Sequence, residues 1–346
     1  MADGPEAAER AGTSEPDVSP QGPPLASAFS LEDRPASGLY ALAWLIAVLG
    51  AGLIGVAVAA AISENQGGSA LLLAAGSGAL FLAAALGAGY QAIARRTRRG
   101  PDAYRGPSPI LLVAVVVSGA LAIGFALSLA GVRLDASAGV LASALIVAGL
   151  YLGSVWLFVV REGALTWREM GWLAPGGSSG RLAVAFLYGV AIALPAILVG
   201  VFAGALLAAL LGVEPPSPLP EPVDTQGMLV NVAVAVLVAP LGEELFFRGF
   251  AQTAWTRDLG WRAAIVRSAV LFALVHALTL TGNDFSEGLR IAVVAVAARL
   301  PVSLALGWVF ARTGTIASPI GLHVTYNGVV LVLVEVARRA SEGGFG

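Results

Sequence analysis

Apolar runs of about twenty residues recur along this chain, and that recurrence limits its fold more than any other feature. At ~1.5 Å rise per residue, such a run covers the ~30 Å hydrocarbon core of a bilayer. Within lipid the backbone must satisfy its own hydrogen bonds, and an unbroken apolar run does so as a helix. The runs fall at Gly38–Ile62, Ala70–Ile93, Pro109–Gly131, Ala138–Val160, Leu182–Val213, Met228–Trp255, Ala263–Leu280, Leu289–Ala311 and Ile316–Val336. The expected fold is all-α: a polytopic transmembrane helix bundle of nine spans, or eight if one run is re-entrant. The fifth and sixth runs are over-long and contain Pro195 and Pro240, so kinks or tilt absorb the excess. Composition agrees, with 57% hydrophobic and 12% charged residues where a soluble domain carries roughly 25% charged.

Ahead of the first run, Met1 to about Pro35 is rich in Ala, Pro, Glu, Ser and Gly and has no hydrophobic period. It reads as a disordered tail, and it lacks the basic-then-apolar layout of a cleaved signal peptide. Three regions result: the tail (1–36), the first spans (37–213) and a second set (228–338). Orientation follows the arginines. Arg95–Arg99, the linkers Arg161–Arg181 and Arg257–Arg262, and the turn at Arg312 fall on one side if spans alternate. The acidic linkers Glu214–Asp224 and Asn283–Glu287 fall on the other. The tail is thereby expected in the cytoplasm, although nine spans put Arg338 and Arg339 outside. A formal net charge of −2 with no basic patch argues against nucleic acid. The absence of cysteine excludes disulfides, thiol nucleophiles and Cys-ligated metal. Glycines such as Gly50, Gly52, Gly55, Gly76, Gly78, Gly87 and Gly89 favour close helix packing and carry no chemistry.

Chemistry is concentrated in the last spans. The sixth run contains Pro240-Leu-Gly-Glu-Glu-Leu-Phe-Phe-Arg248, and charges inside a span are costly enough to mark function by default. Glu244 and Arg248 stand four apart with the acid first, the favourable order for a helical ion pair. Glu243 lies about 100° round the helix and cannot share that arginine in the same way. One carboxylate is structural and the other free. The only two histidines, His276 and His323, lie in later runs, and Asn327 shares a helix face with His323. Counting ~1.5 Å per residue from the basic side, Glu243 and His276 lie roughly 20 Å deep and His323 roughly 12 Å. Glu243 could then act as general base on a water with a histidine orienting it, while His323 and Asn327 donate to an oxyanion. Alternatively Glu243, His276 and His323 could hold a divalent metal such as Zn²⁺. Either arrangement hydrolyses an amide bond.

Taken in order, Glu243-Glu244-xxx-Arg248, Phe272-xxx-His276 and His323-xxx-Asn327 resemble the CPBP (Abi) intramembrane protease family, which includes the CAAX prenyl endopeptidases. The resemblance covers about Met228–Val336; Leu165–Leu173 is similar to a juxtamembrane stretch of the same family. It implies that Glu243 activates water with His276 as partner, that Glu244 and Arg248 hold the helix, and that His323 and Asn327 stabilise the oxyanion. It also implies a membrane-associated protein or peptide substrate and leaves metal dependence open. With bacterial relatives and a lysine-free, Ala-, Gly- and Val-rich composition, the expected location is the bacterial inner (plasma) membrane, the site opening to its cytoplasmic half.

Other protease classes fit less well. Gly177-Ser-Ser-Gly180 imitates a rhomboid motif but lies in a Gly/Pro-rich loop. Neither HExxH nor GxGD occurs. The blander readings are a packing ion pair at Glu244–Arg248, and a scaffold or transporter using the buried Glu/His cluster to bind a partner or ion.

Overall fold

The computed structural model describes residues 35–62, 66–96, 98, 103–172, 178–214, 225–278, 280 and 284–341. The tail through residue 34 and residues 215–224 of the acidic linker lie outside them.

Among the described residues the chain is helical, with no strand. The helices are α1 (Ser37–Ile62), α2 (Gln66–Ala94), α3 (Pro109–Leu129), α4 (Ser137–Val160), α5 (Ser179–Leu211), α6 (Thr225–Leu259), α7 (Trp261–Ala277), α8 (Phe285–Thr313) and α9 (Ala317–Ser341). Eight are long and apolar enough to cross a membrane; α7, at 17 residues, is the short one. The chain is an integral membrane protein. Local chemistry sets several boundaries. Pro109 opens α3, where its missing N–H costs nothing. Asp284 caps α8 by accepting from the Glu287 amide at 2.8 Å. Gly212 and Gly314 end α5 and α8 in the left-handed conformation.

The connections expected on the basic side do meet. Ion pairs join Arg96 to Glu162, Arg98 to Asp258 and Arg257 to Glu169, and the Ile316 amide donates to Gly171 O at 3.0 Å. Exposed pairs of this kind contribute little energy, about 0–1 kcal/mol each, but they put the ends of α2, α4, α6 and α8 on one face. The short α7 therefore rises from that face and packs along α8. The discordant Arg338 and Arg339 both bind Glu335, which offsets part of their charge.

α6 occupies the centre. Its middle, Leu245–Gln252, winds in wide π-helical turns and is buried on every side, a local geometry that recurs at functional sites. Phe246 meets Tyr151 and Phe250, Phe247 meets Phe272, and Tyr104 meets Phe250. This aromatic core fills the basic half of the bundle. Beside it, α5 lies close against α9 and α8. Gly189 faces the Ser318 carbonyl, and Gly321 faces the Phe186 backbone so closely that a side chain would not fit.

Candidate active site

Just ahead of its wide turns, α6 sends two adjacent carboxylates, about 100° apart round the helix, to different neighbours. Glu244 is fully buried and accepts from Arg248 Nη1 at 3.0 Å. Its Oε1 also accepts from His323 Nδ1 at 2.6 Å, a contact between residues 79 apart. Arg248, itself fully buried, reaches across to α8 and donates to Ser303 Oγ at 2.7 Å. It also lies over the Phe272 ring, 4.5 Å from the centroid. A buried pair of this kind needs such added partners to offset its desolvation. The expected ion pair is present, and it doubles as the anchor of His323.

Glu243 keeps away from that network and faces both imidazoles. His276 Nε2 lies 3.7 Å from Oε1, and His323 Nε2 lies 3.8 Å from Oε2. Each histidine is held by its other nitrogen: His276 Nδ1 donates to Phe272 O at 2.8 Å, and His323 Nδ1 donates to Glu244. Both rings thus present Nε2 to the same carboxylate. Phe272 packs against both rings and keeps them upright.

Three side chains from α6, α7 and α9 therefore converge, with Asn327 beside them. All four line one cavity of about 600 Å³. His323 and Asn327 share the cavity, as their common helix face implies, but their bonds to the protein go different ways. His323 turns to the two glutamates, while Asn327 Nδ2 donates to Ala235 O at 2.8 Å. That bond uses one of the two amide hydrogens of a side chain that lines the cavity.

The direction of the cavity corrects a second expectation. It runs from Glu243 along Gly204 of α5, Val294 of α8 and Val334 of α9, away from the face where the basic connections meet. The aromatic core of α6 closes the basic side. A site opening toward the arginine-rich face is not what forms. The physical reason is that Phe246, Phe247 and Phe250 are wholly buried and packed into the core on that side.

Two contributors escaped the sequence reading. Ser303 carries no charge, and nothing in its spacing points to Arg248. Arg299 had a signal: it is an arginine in the middle of an apolar run, and it lines the cavity.

As metal ligands, one carboxylate and two anchored imidazoles fit Zn²⁺ in kind. Among the described residues no three acids and histidines already form a closed ligand group, and Glu243 stands 3.7 and 3.8 Å from the two imidazoles.

No curated protein and no solved structure matches the chain. The family model described as type II CAAX prenyl endopeptidase Rce1-like does match, over residues 225–329, the stretch that supplies Glu243, Glu244, Arg248, His276, His323 and Asn327. Residues 225–329 thus match the CPBP, CAAX protease-like family.

Proposed function

We propose that this protein is an intramembrane endopeptidase that hydrolyses a peptide bond in a membrane-associated protein or peptide. The observation that carries the reading is the convergence of Glu243, His276 Nε2 and His323 Nε2 on one cavity at mid-bundle depth. A separation of 3.7–3.8 Å is too long for a direct hydrogen bond and suits groups that share a water to one side. Glu243 takes a proton from that water while His276 Nε2 accepts its other hydrogen and fixes its aim. The water oxygen attacks the carbonyl carbon, and negative charge moves to the carbonyl oxygen. The remaining N–H of Asn327, with His323 behind it, is the donor for that oxyanion. As the C–N bond breaks, Glu243 returns its proton to the leaving nitrogen, and the products are a carboxylic acid and an amine. Glu244 and Arg248 take no part in the bond changes; they hold His323 and the wide turn.

The anchored imidazoles favour one variant of this reading, in which Glu243, His276 and His323 draw together around a divalent metal. Such an ion would supply Lewis acidity and a more acidic water. The reaction as proposed above uses Glu243 as the base that activates the water. Mass spectrometry of purified protein separates the two: stoichiometric zinc that is lost in His276→Ala would overturn the metal-free route.

The orientation rule supports a cytoplasmic location for the basic face and the amino terminus. The cavity then occupies the opposite half of the bilayer. The functional test is membrane proteomics of wild type against Glu243→Gln. An intact precursor should accumulate in the variant. Unchanged membrane proteins with an unchanged phenotype would support a scaffold or transporter instead.

A further inference from the structure

Arg299 sits midway along α8 (Phe285–Thr313), roughly 20 Å along the helix from either end. It lines the same cavity as Glu243, His276, His323, Tyr326 and Asn327, among apolar residues such as Val294 and Val302. The chain's other described intramembrane arginine on this cluster, Arg248, is matched by Glu244 and Ser303. Arg299 is not matched in that way. Its hydrogen bond is a long one, 3.4 Å from Nη1 to Ala295 O on its own helix, and among the described residues no carboxylate lies within ion-pair distance of it. Glu243 has the two histidines as its close partners.

A guanidinium held at this depth is costly unless it serves an anion. Its planar fork of donors matches a carboxylate in bidentate fashion. Lipid phosphates are poor candidates, because headgroups begin about 15 Å from the midplane of a ~30 Å core. We propose that Arg299 is the substrate-binding residue that holds a carboxylate of the peptide, setting how far the scissile carbonyl lies from Glu243. The carboxylate comes from the peptide's C-terminus or from an Asp or Glu side chain. The catalytic consequence rests on the endopeptidase reading; the binding does not.

The test uses the full chain in lipid nanodiscs and three fluorescent apolar peptides. One ends in a free carboxylate, one is its C-terminal amide, and one is the amide with an internal Asp. Wild type should bind the free acid about tenfold tighter than the amide. Arg299→Met should erase that preference and Arg299→Lys should keep part of it. Recovery of tight binding by the internal Asp identifies a side chain as the source; no recovery identifies the chain end. Equal binding of acid and amide by wild type, or binding of neither, overturns the proposal whether or not the variants fold. Cleavage is read on the same peptides. Discrimination without cleavage would sink the peptidase reading and leave the carboxylate site standing. If cleavage occurs, the loss in Arg299→Met should fall on KM more than on kcat.

Discussion

Replacing Arg248 with methionine tests how the site is held. The substitution keeps an unbranched side chain of similar reach and removes the charge that faces Glu244. Both partners are fully buried in wild type, 3.0 Å apart. At an effective dielectric of ~20, charges at that distance attract by about 5 kcal/mol, and most of this is cancelled by the desolvation both suffer. The loss on truncation is larger than the net worth of the pair, because Glu244 would stay buried with only His323 to bind it. We expect a cost of about 3–5 kcal/mol. The assay is equilibrium unfolding in mixed micelles of rising SDS fraction, run on Arg248→Met, Glu244→Gln and the double variant. Neutralising the stranded carboxylate should restore about 2 kcal/mol, so the two effects should be strongly non-additive. A single-variant cost below about 1 kcal/mol, or simple additivity, would refute the view that this pair is a charge buried only because it is matched.

Glu243→Gln should lower peptide cleavage by about 10²–10⁴-fold and change stability by under about 1 kcal/mol, since this side chain is 15% exposed and makes no direct hydrogen bond to the histidines; a large unfolding shift would make Glu243 structural. Asn327→Ala should cost about 1 kcal/mol for the lost bond to Ala235 O and about 10²–10³ in kcat, and normal kcat would remove it from the oxyanion role. Gly321→Leu has no room against the Phe186 backbone, so α5 must shift from α9 and stability should fall by about 2–3 kcal/mol; wild-type unfolding would contradict the close packing. On the basic face, partial burial pushes the Glu169 carboxyl up, but the Thr166 amide and hydroxyl and the Arg257 guanidinium hold it below the usual carboxylate value. A depressed carboxyl stabilises the fold above its unfolded pKa and loses that contribution as pH falls through the folded one. Wild type and Glu169→Gln should therefore differ at neutral pH and converge in acid, as followed by thermal unfolding across pH 3–7 (roughly the carboxylate range).

The helical architecture was legible because lipid imposes it. Length and apolarity decide where a span begins, and Pro109, Gly212 and Asp284 mark ends by mechanisms that act within a few residues. Glu243, His276 and His323 stood out for a related reason: a titratable group is rare in such surroundings, so its presence is informative wherever the chain goes. The Glu244–Arg248 pair was readable from helical spacing and survives where the helix passes from regular to wide turns, at 3.0 Å.

Contacts between distant residues were not legible. His323 bonds Glu244 across 79 positions, Arg248 bonds Ser303 across 55, and Asn327 bonds Ala235 across 92. In a soluble protein the apolar face of a helix announces which side packs inward, but here every face is apolar and the pattern points nowhere. Which faces meet depends on where backbones can approach, as at Gly189 and Gly321, and on how the phenylalanines of α6 fill the basic half. Hydrophobic run lengths and rare polar letters thus determined by themselves that the chain is a membrane bundle with an acid–imidazole site. Only the packed structure decided which histidine serves which glutamate and that the cavity runs away from the basic connections, because close fit between uniformly apolar surfaces is settled in three dimensions.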